Sequence, residues 1–157
     1  MALASGIPVV EVTGGEPLEQ PESVNLLQKL LDAGLQVLLE TNGAEDASRV
    51  PEGVVRIFDY KLPSSRMERL MLPANFHTLR KLDEVKFVIG SREDFDRARE
   101  VETLYAIPEQ TSKIFYSPVW GAVTFAELAQ WIMESRAPGR MQLQMHKLIW
   151  GADATGV

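Results

Sequence analysis

Short apolar runs alternate with amphipathic segments from one end of the chain to the other. The apolar runs predict six strands, at residues 8–12, 35–40, 54–58, 84–89, 113–116 and 141–145. The amphipathic segments predict helices at 21–33, from 91 to about 104 and from 124 to about 135. One or two more helices are expected between residues 65 and 82, where Pro73 should interrupt any continuous helix. Residues 146–157 follow as a short tail. This alternation is typical of βα units.

Several helix ends carry their own sequence signals. Gly34 follows the first apolar stripe and predicts the end of that helix, because glycine accepts the left-handed conformation of a C-terminal cap. Ser91 precedes Asp94 by three residues, and Thr124 precedes Glu127 by the same spacing. That spacing predicts side-chain capping at the start of two further helices.

Strands that follow one another through helices are expected to lie parallel, because the right-handed crossover packs each helix back onto the sheet. Parallel sheets bind ligands at the carboxyl ends of their strands. The polar and glycine-rich segments fall at those ends, at residues 13–17, 40–43, 59–65, 117–121 and 144–147. The pattern therefore predicts one α/β domain, residues 1–157, with a shared ligand site at one edge of the sheet.

Charge and hydropathy narrow the classes of partner. The formal net charge of -6 gives no broad basic face, which argues against nucleic acid and favours a small molecule. No apolar run approaches the roughly 20 residues needed to span a bilayer, and the first six residues lack the basic start and long apolar centre of a signal peptide. We therefore expect a cytoplasmic protein without a membrane partner.

Cysteine is absent from the sequence, and histidine occurs only twice, as His77 and His146. The chain by itself therefore offers no disulfide, no thiolate zinc site and no cysteine-ligated iron–sulfur cluster. Any bound metal would depend on carboxylates or on the ligand itself.

The turn Thr13-Gly14-Gly15-Glu16-Pro17 has two interpretations when it is considered by itself. Two glycines let the backbone approach a ligand, and Glu16 offers an acceptor for a cationic amine. The same residues also suit an ordinary tight turn before a helix. Asp59 and Lys61 also allow two interpretations, because they could belong to the ligand site or form a simple surface ion pair.

Taken in order, these motifs resemble the radical S-adenosylmethionine superfamily, in which one strand ends in Gly-Gly-Glu-Pro, here Gly14-Gly15-Glu16-Pro17. The segments at 40–43, 59–65, 83–89, 117–121 and 142–150 resemble one branch of it, the 7-carboxy-7-deazaguanine synthases. The most specific of them is Leu-Gln-Met-His-Lys-Leu-Ile-Trp, at residues 143–150.

The resemblance implies a fold, a reaction and a set of ligands. The fold is a partial, open parallel β/α barrel. The reaction converts 6-carboxy-5,6,7,8-tetrahydropterin to 7-carboxy-7-deazaguanine with S-adenosylmethionine, a [4Fe-4S] cluster and Mg2+. The resemblance is also compatible with a homodimer. The implied S-adenosylmethionine contacts are Gly14, Gly15, Glu16, Asp59, Tyr60, Lys61, Ser117 and Pro118, and the implied substrate contacts are Thr13 and the terminal Val157.

The absence of cysteine departs from that pattern. The resemblance places a first strand, a substrate motif and a loop with three cluster cysteines ahead of this sequence, so the expectation is a synthase truncated at its N-terminus, without its first strand and helix and inactive by itself. Two alternatives remain open at this point. One is a degenerate nucleotide- or pterin-binding module without redox chemistry, and the other is a generic α/β domain with chance matches.

Overall fold

The structure is a computed structural model that describes residues 6–152 and 154. Six parallel strands form one sheet in the order β1-β2-β3-β4-β5-β6. The strands are β1 (Val9–Val12), β2 (Gln36–Thr41), β3 (Val55–Tyr60), β4 (Glu84–Ile89), β5 (Ile114–Pro118) and β6 (Arg140–Met141). The helices are α1 (Ser23–Asp32), α2 (Pro73–His77), α3 (Arg92–Leu104), α4 (Ile107–Gln110), α5 (Phe125–Ser135) and α6 (Met145–Trp150). The predicted α/β class and the open, all-parallel sheet are confirmed.

The two faces of this sheet differ in character. One face carries the core, with Val37, Leu39, Phe58, Phe87 and Tyr116 closed to solvent. Every second residue lies on the opposite face, which we call the open face and which carries Glu11, Glu40, Asp59, Lys86 and Ser117. Polar side chains are therefore concentrated on one side of the sheet, towards the carboxyl ends of its strands.

The predicted helix signals act as expected. Gly34 has φ 79°, and its amide donates to Leu31 while the next amide donates to Leu30, which is the bonding of a Schellman cap. The Ser91 hydroxyl accepts from the amide of Asp94 at 3.1 Å. Thr124 and Glu127 bond each other reciprocally as a capping box.

The last predicted strand, 141–145, is wrong beyond its first residue. Strand β6 ends at Met141, and helix α6 begins at Met145, inside what was predicted to be strand and tail. The alternation of apolar and polar residues suggested a strand, but within the described part of the chain β6 pairs only with β5. Pro118 ends β5 and has no amide to donate, so little remains for a longer β6 to pair with.

Three other boundaries differ from expectation. Strand β3 continues through Asp59 and Tyr60, which pair with Lys86 and Phe87 of β4 instead of opening a loop. Strand β5 similarly continues through Pro118. Pro73 begins helix α2 and does not interrupt one, because the first helical turn needs no amide donor at that position. Within the described residues, no helix is both long and apolar enough to cross a bilayer.

Candidate ligand site at the carboxyl edge of the sheet

Glu16 joins the turn after β1 to the turn after β2. Its carboxylate is buried, and one oxygen accepts from the amide of Leu18 at 3.0 Å and from the hydroxyl of Thr41 at 2.8 Å. The other oxygen accepts from the amide of Asn42 at 2.8 Å. These bonds fix the geometry of both turns at the edge where the ligand site was predicted.

The two glycines before Glu16 present bare backbone to solvent. Gly14 has φ +100° and Gly15 has φ +59°, values that disfavour residues with a Cβ atom. Apart from the glycine itself and its two chain neighbours, no heavy atom of the described residues lies within 4 Å of the place where a Cβ would stand on either residue. Their backbone is therefore open to a ligand, and packing alone does not explain why both residues are glycine.

A charged network crosses the open face below these glycines. The Thr13 hydroxyl donates to Glu40 Oε2 at 3.2 Å, and Lys86 Nζ lies 3.1 Å from Glu40 Oε1. Glu11 lies on the same face, and burial together with the negative charge of Glu40 raises its pKa, while Lys86 acts in the opposite direction.

Beside the end of β3 lies a cavity of about 450 Å³. Lys61 Nζ contacts Asp59 Oδ2 at 2.7 Å on its wall. The other oxygen of Asp59, Oδ1, is buried and has no hydrogen-bond partner within the described part of the chain. A buried oxygen of this kind favours a bound donor, because leaving an acceptor unsatisfied costs about 1–3 kcal/mol.

Asp94 holds the rim of this cavity in place. Its side chain is fully buried at the start of α3. One oxygen accepts from the amide of Ser64 and the other from the amide of Gly90, both at 2.9 Å. The loops after β3 and β4 are therefore tied to one carboxylate, which gives the cavity a defined shape.

Tyr60 points away from this cavity. Its ring packs against Phe76 and Phe87, with centroid distances of 4.9 and 5.7 Å, and its hydroxyl lies 3.4 Å from Glu68. Burial raises the pKa of Tyr60. The ring therefore belongs to the core, and the backbone of Tyr60 is the part that remains for contact with a ligand.

A second cavity, of about 300 Å³, lies at the ends of β5 and β6. Its lining is mostly polar and consists of Lys86, Ser117, Gln142, Leu143, Gln144, Met145 and His146. Ser117 is almost fully buried there, and Pro118 pairs with Ile89 of β4. The segment 142–146, which the sequence singled out, therefore lies against the carboxyl end of β5.

The amino-acid sequence of this chain is similar to those of several proteins with one shared name. The chain is 43% identical to a 7-carboxy-7-deazaguanine synthase of Chlorobaculum tepidum, over 99% of this chain and 71% of the relative. It is 35% identical to the enzyme of that name from Koribacter versatilis, over 95% of this chain and 72% of the relative. The corresponding protein of Clostridium acetobutylicum is 36% identical over 98% of this chain and 71% of the relative. This chain belongs to the 7-carboxy-7-deazaguanine synthase family.

Two further comparisons concern the fold and the family models. The fold is similar to that of Streptococcus suis SuiB, with a TM-score of 0.57 at 10% identity, over 87% of this chain and 39% of SuiB. A scan against protein-family models finds no match. The alternative of a degenerate binding module receives no support from these comparisons.

The residues present do not fit every cofactor that the synthase resemblance implies. The chain has no cysteine, and two histidines cannot replace the thiolates of a [4Fe-4S] cluster. Within residues 6–152 and 154, no three His, Cys, Asp or Glu side chains gather where they could hold a metal ion. The cavity beside β3 suits a ligand that carries hydrogen-bond donors, because Asp59 lines it and the buried Oδ1 of Asp59 has no partner among the described residues.

The structure groups the predicted site residues into three clusters along one edge. Thr13 and Glu16 form hydrogen bonds with Glu40 and Thr41 at the end of β2. Residues 59–61 border the larger cavity, and Ser117 lines the smaller one. Val157 lies outside the described residues. Glu11, Lys86 and Asp94 were not predicted as site residues. The alternation of Glu84 and Lys86 with Val85 and Phe87 in β4 was the available signal for a polar face of the sheet.

Proposed function

We propose that this chain supplies the pterin- and S-adenosylmethionine-binding part of a 7-carboxy-7-deazaguanine synthase. The reaction converts 6-carboxy-5,6,7,8-tetrahydropterin to 7-carboxy-7-deazaguanine and belongs to the carbon–nitrogen lyases. The observation that carries the proposal is the identity of 33–43% to six proteins of that name. The site at the carboxyl edge of the sheet supports it independently.

In this proposal S-adenosylmethionine occupies the cavity beside β3. The buried Oδ1 of Asp59 accepts a hydrogen bond from a hydroxyl or amino group of the cofactor, while Lys61 holds the other oxygen. Gly15 lets the backbone approach the ligand without a Cβ in the way. Further contacts come from Gly14, from the backbone of Tyr60, and from Ser117 and Pro118. Glu16 contributes by holding the turn, since its oxygens already accept three protein hydrogen bonds.

The pterin lies next to Thr13 in this proposal, with Val157 as its second contact. The hydroxyl of Thr13 donates to Glu40, so its lone pairs remain free to accept a hydrogen bond from the substrate. A negatively charged chain with small polar cavities suits such a ligand better than nucleic acid.

The sequence offers no thiolate ligands for the cluster, and the described residues offer no ligand set for Mg2+, so we derive no step through either group. We propose that the chain alone forms no product, because the residues present cannot hold the iron centre that S-adenosylmethionine cleavage requires. Its own residues bind and orient the two small molecules.

Calorimetry under anaerobic conditions tests the cofactor site. We expect S-adenosylmethionine to bind weakly, in the micromolar to millimolar range, because the contact to iron is missing. Asp59→Ala is expected to weaken binding by about tenfold, the effect of losing one charge-assisted hydrogen bond. Asp96→Ala, which removes an exposed carboxylate on α3, is the control and leaves binding unchanged. Equal affinity of the Asp59 variant and the parent chain would contradict the assigned pocket.

A hybrid enzyme tests the reaction. The cysteine-bearing segment of a homologous synthase is fused ahead of residue 1, and the cluster is reconstituted. We expect slow conversion of the pterin, since a misplacement of about 1 Å at the junction costs roughly a hundredfold. Thr13→Ala in the hybrid mainly weakens use of the pterin, and Gly15→Val blocks the cofactor. A hybrid that cleaves S-adenosylmethionine but never converts the pterin would defeat the synthase assignment for this chain.

A further inference from the structure

Lys86 reaches across a whole strand to find its partner. It lies on β4 opposite Asp59 of β3, yet its Nζ contacts Glu40 Oε1 on β2 at 3.1 Å. Both side chains are about one quarter exposed, so water screens the pair only in part. Two other open-face carboxylates near Lys86 have cations of their own, since Asp59 pairs with Lys61 and Glu84 pairs with Lys113.

Glu40 divides its two oxygens between different partners. Oε1 is held by Lys86, and Oε2 accepts from the hydroxyl of Thr13. Bonds to both oxygens fix the rotation of the carboxylate, and this in turn fixes the direction of the Thr13 hydroxyl. Glu11 lies beside Glu40 and repels it, so Glu40 without Lys86 would have a like charge as its neighbour and one oxygen free.

We propose that Lys86 is a positioning residue of the pterin site, acting through Glu40 to orient Thr13. The inference rests on the proposed function, in which Thr13 contacts the substrate. Lys86 also lines the cavity with Ser117 and His146, so it contacts Glu40 at the Thr13 end of the site and borders the cavity at the end of β5. A purely structural role would instead resemble that of Lys113, which pairs with Glu84 on the same face.

The first test measures the Thr13 turn in the chain without any ligand. Lys86→Met is compared with Lys113→Met, which removes a similar ion pair from the same face, and with Lys86→Arg, which keeps the charge. We expect the backbone amide resonances of Thr13, Gly14 and Gly15 to shift in Lys86→Met, to stay in place in Lys113→Met and to return towards the parent positions in Lys86→Arg. Unchanged resonances in a folded Lys86→Met variant would overturn the proposal.

The second test is a double-mutant cycle on pterin affinity, measured by anaerobic calorimetry with 6-carboxy-5,6,7,8-tetrahydropterin. We expect Lys86→Met to weaken binding by about tenfold in the parent chain, and by less than about twofold when Thr13 is already alanine. Equal losses in both backgrounds would show that Lys86 does not act through Thr13. A parent chain that binds no pterin would contradict the proposed function instead, and the resonances of the Thr13 turn would then decide the role of Lys86.

Discussion

Arg56 and Asp83 form an ion pair whose two side chains are 2% and 1% exposed. Asp83 also accepts from the backbone amides of Arg56 and Arg80, at 3.2 and 2.7 Å. Arg56 donates in addition to the carbonyl of Thr78 at 2.8 Å and lies over the ring of Phe58. The pair joins the beginning of β3 to the loop before β4, at the opposite edge of the sheet from the ligand site.

We predict that Arg56→Met destabilises the protein strongly. Removal of the guanidinium leaves Asp83 as a buried charge without its partner, and such changes cost about 3–5 kcal/mol. Urea unfolding followed by circular dichroism measures the loss. Arg92→Met is the matched control, because Arg92 pairs with Asp96 and both side chains are more than half exposed, so its loss costs about 0–1 kcal/mol. Equal stability of the two variants would contradict the importance of the buried pair.

We predict that Gly43→Ala destabilises the chain more than Gly14→Ala does. Gly43 has φ +78°, and an added Cβ would lie 2.9 Å from Cζ of the fully buried Phe76. Strain and overpacking together cost about 3 kcal/mol. Gly14 also has positive φ, but its Cβ would enter open space, so strain alone costs about 1 kcal/mol. Thermal unfolding of both variants provides the comparison, and a reversed order would contradict it.

We predict that Glu16→Gln lowers the unfolding free energy by about 1–3 kcal/mol. The carboxylate accepts from the amide of Leu18, the hydroxyl of Thr41 and the amide of Asn42. The glutamine amide has one weaker acceptor oxygen, and its NH2 group would face at least one of these donors. Glu19→Gln, one turn away and exposed, serves as the control. Amide hydrogen exchange at Asn42 should also become faster in the Glu16 variant. Protection that is unchanged at Asn42 would rule out this role of Glu16 in fixing the second turn.

We predict that Glu11→Gln stabilises the protein at neutral pH but not in acid. The pKa of Glu11 is raised above its ordinary value of 4.5 in the folded state, first by burial and then by Glu40. The folded state therefore holds this proton more tightly than the unfolded state, and stability falls as the pH rises from 4.5 through the folded pKa. The gain in Tm of the glutamine variant should thus be absent below pH 4.5, develop across that interval and be complete above it. Glu109→Gln, an exposed site, is the control, and a gain that does not depend on pH would refute the prediction.

We predict that anaerobic incubation of the chain with iron and sulfide yields no [4Fe-4S] cluster, because the sequence offers no thiolate. Mössbauer spectroscopy distinguishes a bound cluster from adventitious iron. One cluster per chain would refute the prediction.

The sequence predicted much of the fold because its signals act over a few residues. The caps at Ser91 and Thr124 and the end of the first helix at Gly34 depend only on neighbours within one helical turn. The short β6 and the start of α6 at Met145 could not be predicted in this way, because they depend on where β5 ends. Similarly, the local sequence does not indicate that the Tyr60 side chain packs in the core while Asp59 borders the cavity beside β3.

By itself the sequence determined the order of the six strands along the chain, the polar loops at the carboxyl edge and the lack of thiolates. Only the tertiary structure decided which of the polar residues act together. The pair of Lys86 and Glu40 is separated by 46 residues, and the bond between Glu16 and Thr41 spans 25. The physical reason is that such partners meet through strand register and sheet twist, which are set by packing of the whole core and not by the residues on either side.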